Sequence, residues 1–514
     1  MLKVNSRVII TSGLLLLISY ISLPNVKNFY YWKDDWIFMW ANKLNPAAVY
    51  REIGGTPDGW QVKTGLFMLP YTRLYDKISF EQFQSTGIYL KFLNSAAVLL
   101  LVYTFTKNKT SSILSSLLYA GYSGGVEVYT WHRITGLAVF FSLLAFAFHN
   151  LFLKTKRPLY FLGICISAIM SLFSFFGRVI GIFPLLAIST FFHFYLRPSK
   201  FLAKYFGFLV LVIVILIIII RDPAVNTSGF SYSHVLSESY SHLDILFSNI
   251  GNLLRIPIFP LAEEGGLVGR ISFLSLLIGK VFFITTVVVT IVFLVTRSKF
   301  WQSTATIFLW MAFMFIPNWM YASGGPSTMV GSSHRYMAGI GIGVLLMIGL
   351  LLSKLSKLKQ ILVFVPLLIM FLKYSTYVLS IESSLRNANL VKPIYQKIVN
   401  DTTVDSLPRA LVIHTSRSNL VSGWFPYAYA YFKGLRDSAM FPTVFSNWDA
   451  AAEWICAPNN KREEITFKYA APDNQKGKPI LKTNIYAWSV DFNGTISNET
   501  MAFREKVSKC LEQI

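Results

Sequence analysis

Two adjacent carboxylates flanked by aromatic rings, Tyr30-Tyr31-Trp32-Lys33-Asp34-Asp35-Trp36, follow directly on the first long apolar run of the chain. Aromatic residues collect at membrane interfaces as anchors, which accounts for the tyrosines and tryptophans and leaves the acid pair unexplained. A carboxylate beside a low-dielectric medium costs free energy unless it is paired, metal-bound or used, so two together ask for a purpose. Residues 122–135 pack Glu127, Trp131, His132 and Arg133 between two apolar runs, with Gly124-Gly125 permitting close backbone approach. Glu127 is a candidate second acid or metal ligand and Arg133 a candidate phosphate contact, although the two could also simply pair. Two further arginines stand at the ends of apolar runs, Arg178 within residues 174–179 and Arg335 in Ser332-Ser333-His334-Arg335-Tyr336. Arginine is costly at membrane depth, so it should face a cavity, a carboxylate or an anion, and its fork suits phosphate oxygens. Snorkelling to lipid headgroups is the other use of Arg335.

Eleven apolar segments must position these groups, at about 8–24, 87–106, 111–126, 134–153, 158–176, 180–196, 203–220, 271–296, 303–320, 336–353 and 360–380. A helix needs about 20 mostly apolar residues to cross the hydrocarbon core, and the runs at 203–220 and 276–296 meet this with no soluble alternative. Hydrophobic residues make up 54% of the 514, and the mean hydropathy is +0.50, more than a soluble surface tolerates. The junctions alternate in chemistry. One set carries Lys3 and Arg7, Lys107 and Lys109, Lys154, Lys156 and Arg157, Arg197, Lys200 and Lys204, Arg297 and Lys299, and Lys354, Lys357 and Lys359. By the positive-inside rule that side is cytoplasmic, which makes much of the +22 net charge a topology signal and no nucleic-acid footprint. The first segment has no small-x-small cleavage site after it and reads as a span with the N-terminus inside. Lys280, His149 and His193 are placed near span ends.

The expected fold class is an α-helical polytopic membrane protein, residues 1–380, with about 11 transmembrane helices and a C-terminal extracytoplasmic α/β or α+β domain over 381–514. In that tail, β-like runs occur at 409–414, 464–469 and 483–490, and a helical pattern at 449–455. Cys456 and Cys510 both fall there, as a single structural disulfide or as two unpaired small residues; Cys165 lies in a span. Residues 246–261 look amphipathic and suit the membrane interface, where Pro257 and Pro260 argue against a spanning helix. Sequons stand at Asn226, Asn400, Asn493 and Asn498.

Asp34, Asp35, Glu127, Arg133, Arg178, His334 and Arg335 all fall on the predicted outer face, a set suited to a reaction on a lipid-linked phosphate. An acid would deprotonate an acceptor hydroxyl or hold a divalent cation, magnesium or manganese, with Asp35 and Glu127 as its ligands. Arg133, Arg178, His334 and Arg335 would take the phosphate as its charge develops, and Trp36, Trp131 and Tyr336 would line the substrate.

On these residues the chain resembles the GT-C superfamily of polytopic glycosyltransferases, which includes protein O-mannosyltransferases, aminoarabinose transferases and oligosaccharyltransferase subunits. The shared layout covers about residues 1–380: a cytoplasmic N-terminus, an acid pair in the first outer loop (Asp34-Asp35), an acid in the second (Glu127), and Arg335-Tyr336 before a late span. The resemblance implies Asp34 or Asp35 as the base in transfer from a polyprenyl-phosphate sugar, Arg335 on the phosphate, and inversion at the anomeric carbon. The acceptor is a lipid, a glycan or a protein, and the setting a cell membrane with the working face outside. The chain departs from several members at Gly177-Arg178-Val179, where those carry a Lys-Glu pair, and in its lower number of spans.

Two other classes fit the same face. A lipid-linked oligosaccharide polymerase or ligase would rely on the arginines and dispense with the acid pair. A transporter or flippase would show repeated halves and midplane ionisable groups, and no convincing repeat is present. No Walker, Rossmann, serine-hydrolase or Cys/His metal pattern occurs, and no nucleic-acid partner is expected. The tail is expected to bear on acceptor use more than on donor binding.

Overall fold

The computed structural model describes residues 6–31, 34–45, 78–122, 125–131, 133–179, 181–221, 244, 247, 251, 267–296, 301–320, 337–402, 409–415, 425–458, 461–462, 464–465, 480–491 and 493–511. In chain order the helices are α1 (Ser6–Ile21), α2 (Asp34–Leu44), α3 (Phe80–Thr106), α4 (Lys109–Gly121), the single turn α5 (Glu127–Thr130), α6 (Arg133–Thr155), α7 (Pro158–Val179), α8 (Ile182–Leu196), α9 (Lys200–Arg221), α10 (Leu267–Val295), α11 (Trp301–Met320), α12 (Met337–Leu352), α13 (Lys357–Arg386), α14 (Ala388–Asp401), α15 (Phe425–Lys433), α16 (Trp448–Cys456) and α17 (Thr500–Leu511). Four strands complete them: β1 (Ala410–Thr415), β2 (Thr443–Phe445), β3 (Ile485–Val490) and β4 (Ile496–Asn498).

A helix lies over each of the eleven apolar segments. Among the described residues, Phe80–Thr106, Arg133–Thr155, Lys200–Ile218 and Lys357–Ser380 are long and apolar enough to cross a membrane, and five shorter apolar helical stretches accompany them. The burial of these four differs in a telling way. Arg133–Thr155 hides 67% of its apolar window, whereas Lys200–Ile218 hides 17%, so α6 is central and α9 turns leucines and isoleucines outward. An apolar face of that extent is stable only against lipid or a partner.

By contact the chain divides into two compact units. The first comprises Met1–Val26, Gly54–Met68 and Ser85–Ile381, and the second Lys27–Ile53, Leu69–Gln84 and Glu382–Ile514. Of the first outer segment, the described residues 27–31, 34–45 and 78–84 belong to the second unit.

In the first unit α6 packs along α7, α8 on α9 and α11, α11 on α10 and α12, and α12 on α4, which meets α1. Glycines let backbones close in: a Cβ on Gly343 of α12 would stand 2.2 Å from Met311 Cγ on α11. Buried polar side chains pair inside the bundle, as between Ser142 and Ser171 Oγ (2.7 Å), Asn150 Nδ2 and Thr104 Oγ1 (3.1 Å), and His149 Nδ1 and Tyr205 OH (3.0 Å). Each pairing avoids the cost of a bare polar group in apolar surroundings. Lys280 proves to stand mid-helix in α10, where its Nζ meets Asp244 at 3.0 Å and both side chains are half-exposed. Of the amphipathic stretch, Phe247 stacks edge-on to Phe283 of α10 at 5.0 Å. Helix α7 runs through Val179, so residues 174–179, at and beyond the end of the apolar run expected at 158–176, are helical and Arg178 belongs to the last turn.

The second unit centres on a sheet of order β2-β1-β3-β4, with β1 parallel to β2 and β3, and β4 antiparallel to β3. Parallel strands need both faces covered, and β1 accordingly reads Ala-Leu-Val-Ile-His-Thr with only His414 exposed. Trp454, Ile455, Phe503 and Val507 of α16 and α17 cover one side, against Val412, Phe445 and Ala487. The Cys456–Cys510 disulfide joins these two helices, with Cα atoms 5.2 Å apart, and Cys165 is free. From α14, Asp401 Oδ2 accepts from Trp488 Nε1 (2.9 Å) and Asn498 Nδ2 (3.1 Å). The domain is thus of α/β type. The strand expected at 464–469 is absent at its start, where Glu464 and Ile465 are helical; the remainder of that run lies outside the described residues.

Candidate functional site

In the first unit the chemistry-bearing residues gather where α3 meets the turn before α6. Gly87, Lys91 and Asn94 lie along one face of α3 at the spacing of helical turns. A Cβ on Gly87 would overlap the Tyr129 carbonyl oxygen at 1.8 Å and approach Arg133 Nε to 3.5 Å, so only glycine admits this approach. One turn on, Lys91 is wholly buried; its Nζ donates to Ser22 Oγ at 2.8 Å and lies 5.6 Å from the centre of the Tyr129 ring. Asn94 Nδ2 donates to the Gly136 carbonyl at 3.2 Å and closes the helix pair. The Tyr129 hydroxyl bonds that of Tyr119 on α4.

Arg133 opens α6 and is 1% exposed, with Nη2 directed at the Thr130 carbonyl at 3.4 Å. Trp131 is buried beside it. Gly125 has φ of +75°, the left-handed region open to glycine, and a Cβ there would stand 2.6 Å from Ala338 Cα. The turn carrying Glu127, Trp131 and Arg133 therefore rests on the first turn of α12, the helix that follows Arg335-Tyr336 in the chain. This is the close backbone approach expected from Gly124-Gly125. The side chains of Glu127 and Arg178 lie outside the described part of their helices, and His334, Arg335 and Tyr336 lie outside the described residues altogether.

In the second unit Asp34 and Asp35 begin α2, where an acidic first turn complements the helix dipole. The sequence reading left this stretch as loop. Asp35 is 1% exposed, and the Asp34 side chain lies outside the described part. Trp36 is buried among rings, 5.6 Å from both Tyr30 and Tyr31, 5.5 Å from Tyr395 and 5.6 Å from Phe432. Burial, with the Asp35 carboxylate adding to it, holds the Tyr31 phenol well above its ordinary value; burial does the same for Tyr30 and Tyr395. All three stay neutral at physiological pH.

One turn further, Trp40 is fully buried between Tyr427 (5.5 Å) and Phe441 (5.1 Å), and its Nε1 donates to the Leu435 carbonyl at 2.6 Å. Asn45 Nδ2 donates to the Arg436 carbonyl at 3.0 Å. The helix headed by the acid pair is thereby seated on α15 and the segment after it. Trp36 is an interior residue of this unit.

Asp34, Asp35 and Trp36 belong to the second unit, and Glu127, Trp131, Arg133 and Arg178 to the first. Among the described residues no three His, Cys, Asp or Glu side chains gather in a metal-ligand group. Lys91 was missed by sequence reasoning, which weighed Lys280, His149 and His193 among the charges within apolar segments and passed over this one. Its signal was nevertheless present, since an ionisable residue inside an apolar helix is a functional candidate by default.

No protein-family model matches the sequence, and no curated protein matches it. Among solved structures the chain is similar to the crystal structure of the oligosaccharyltransferase of Archaeoglobus fulgidus in its apo form, with a TM-score of 0.51 and 11% identity. The match covers 94% of this chain and 69% of that one. The likeness is one of fold, and it runs through both units.

Proposed function

We propose that this protein is a membrane glycosyltransferase that moves a sugar from a polyprenyl-phosphate carrier to a lipid, glycan or protein acceptor on the extracytoplasmic face of a cell membrane. The observation that carries the reading is the fold shared with an oligosaccharyltransferase over nearly the whole chain. The acid pair heading α2, and the Glu127–Arg133 turn, supply residue types that such chemistry needs.

In the proposed reaction Asp34 or Asp35 takes the proton of the acceptor nucleophile as that atom attacks the anomeric carbon. The bond from that carbon to the carrier oxygen breaks, and the electron pair leaves with the carrier phosphate. Arg133, Arg178, His334 and Arg335 offset the charge developing on that phosphate, and the anomeric configuration inverts. Asp35 and Glu127 are oxygen donors of the kind magnesium or manganese prefers, and a bound cation would screen the same phosphate. Trp131 and Tyr336 would contact the sugar or carrier. Trp36, the third aromatic expected to line the substrate, is buried in the second unit.

The test is donor turnover. Purified wild type and Asp34→Asn/Asp35→Asn protein are offered a panel of polyprenyl-phosphate sugars, with and without divalent cation, and scored for released carrier phosphate. Turnover by wild type with loss of about 10²-fold or more in the double variant is expected. Equal turnover by both proteins would show the acid pair to be structural and sink the mechanism.

A further inference from the structure

Lys91 stands out in the first unit because its cation has only neutral company. It is 0% exposed, and its contacts are the Ser22 hydroxyl at 2.8 Å and the face of the Tyr129 ring. Ser22 is itself buried, and its own proton goes to the Ser19 carbonyl at 3.0 Å, so the oxygen turned to Lys91 acts as acceptor only. An ammonium has three protons to donate. No carboxylate of the described residues lies within ion-pair distance of it; the ion pairs there are Lys280–Asp244, Lys397–Asp401 and Lys506–Asp449. Lysine is almost never fully buried without a counter-charge, because the desolvated ammonium is left uncompensated.

The backbone and ring around Lys91 are closely packed. Gly87, one turn before Lys91, brings α3 against the Tyr129 carbonyl, and Asn94 ties the next turn to the Gly136 carbonyl. Tyr129 is held through its hydroxyl by Tyr119. The buried guanidinium of Arg133 lies on the same side of α3, its Nε 3.5 Å from where a Gly87 Cβ would be. Ser22 directly follows α1, and Tyr129 belongs to the turn between α4 and α6, both on the face predicted to be extracytoplasmic.

We propose that Lys91 is an anion-receiving residue for the phosphate of the lipid carrier, resting on Ser22 while the site is empty. Its flexible four-carbon stem lets the ammonium leave the serine and meet a phosphate oxygen with a charge-assisted hydrogen bond. The proposal rests on the polyprenyl-phosphate reading above, and it adds a phosphate-binding residue on a helix where none was expected.

The experiment compares binding of a polyprenyl phosphate with that of the matching polyprenol to the purified full-length protein, followed by tryptophan fluorescence. Wild type should prefer the phosphate, with Lys91 contributing about 10- to 100-fold, the size of one charge-assisted contact. Lys91→Met should lose that contribution, Lys91→Arg should keep most of it, and Ser22→Ala, which leaves the ammonium in place, should keep it too. If Lys91→Met does not fold, Lys91→Gln, which retains a donor for Ser22 but no charge, gives the same reading. Inorganic phosphate added as a competitor separates two sources. Displacement that disappears in Lys91→Met assigns a site for phosphate as such, while no displacement with the preference intact assigns a site for phosphate borne on lipid. A folded Lys91→Met or Lys91→Gln protein with undiminished preference overturns the role of Lys91 and leaves the carrier reading standing. A wild type that binds phosphate and alcohol alike overturns both.

Discussion

Replacing Trp40 by alanine tests the claim that the C-terminal unit seats the acid-bearing helix. Trp40 is 0% exposed, packed edge-on to Tyr427 and Phe441, and bonded through Nε1 to the Leu435 carbonyl. Truncating a buried tryptophan costs about 3–5 kcal/mol, which includes the cavity left behind. The loss falls on the docking of α2 and not on the sheet core, which retains Trp454, Phe503 and the Cys456–Cys510 bridge. Local opening of α2 should therefore become about 10²- to 10³-fold more frequent, at about 1.4 kcal/mol per tenfold change. Trp40→Phe keeps a smaller ring in the slot and gives up the indole bond, about 1 kcal/mol, so its effect should stay within about tenfold. Amide hydrogen exchange over residues 36–44 reads this directly, with β1 and β3 as internal controls, and donor turnover should fall in the same order. Unchanged exchange over α2 in a folded Trp40→Ala protein would refute the seating argument.

Other expectations follow from single features. Gly87→Ala places a methyl against the Tyr129 carbonyl, so thermal stability should drop by about 1–3 kcal/mol or more; Gly207→Ala in α9, with nothing within 4 Å, should be neutral or slightly stabilising. Cys456 and Cys510 are 54 residues apart in sequence, so loss of the bridge by Cys→Ser exchange should destabilise the second unit by up to about 4 kcal/mol in chemical unfolding. Burial tends to raise the Asp401 carboxyl, but hydrogen bonds from Trp488, Lys397 and Asn498 outweigh it and hold the group below its ordinary value. A depressed carboxyl stabilises the fold above its unfolded pKa of about 3.9, and that contribution is lost as pH falls through the folded value. Acid unfolding followed at Trp488 should therefore begin below about pH 4 and shift in Asp401→Asn; an identical acid limb in the variant would remove Asp401 from the account.

The local features of this chain are legible in its sequence because they depend on residues a few positions apart. Apolar runs of helical length form helices wherever they occur, since a helix satisfies its own backbone groups, and each of the eleven segments is helical in the structure. The run Ala410–Thr415 becomes the central strand for the same kind of reason, being apolar, short and β-branched. Helix boundaries were less legible. Arg178 continues α7, and the acid pair begins α2, because a helix end is set by caps and by packing as much as by composition.

Long-range placement was decided only by the tertiary structure. Nothing near Trp36 or Trp40 in the sequence tells that their partners are Tyr395, Tyr427, Phe432 and Phe441, more than 350 residues on, or that this seats the acid pair on the tail. Hydropathy equally says nothing of how Lys91 is surrounded within its apolar run, and it is the packing of α3, with Gly87 against Tyr129, that buries it. The sequence by itself determined which segments are helical, which are apolar enough for a membrane, and which residues carry charge, because these follow from local propensity and transfer free energy. Which charges are buried, and which distant segment holds the acid pair in place, was decided by the fold, because burial and contact belong to the assembled side chains and to no one stretch of chain.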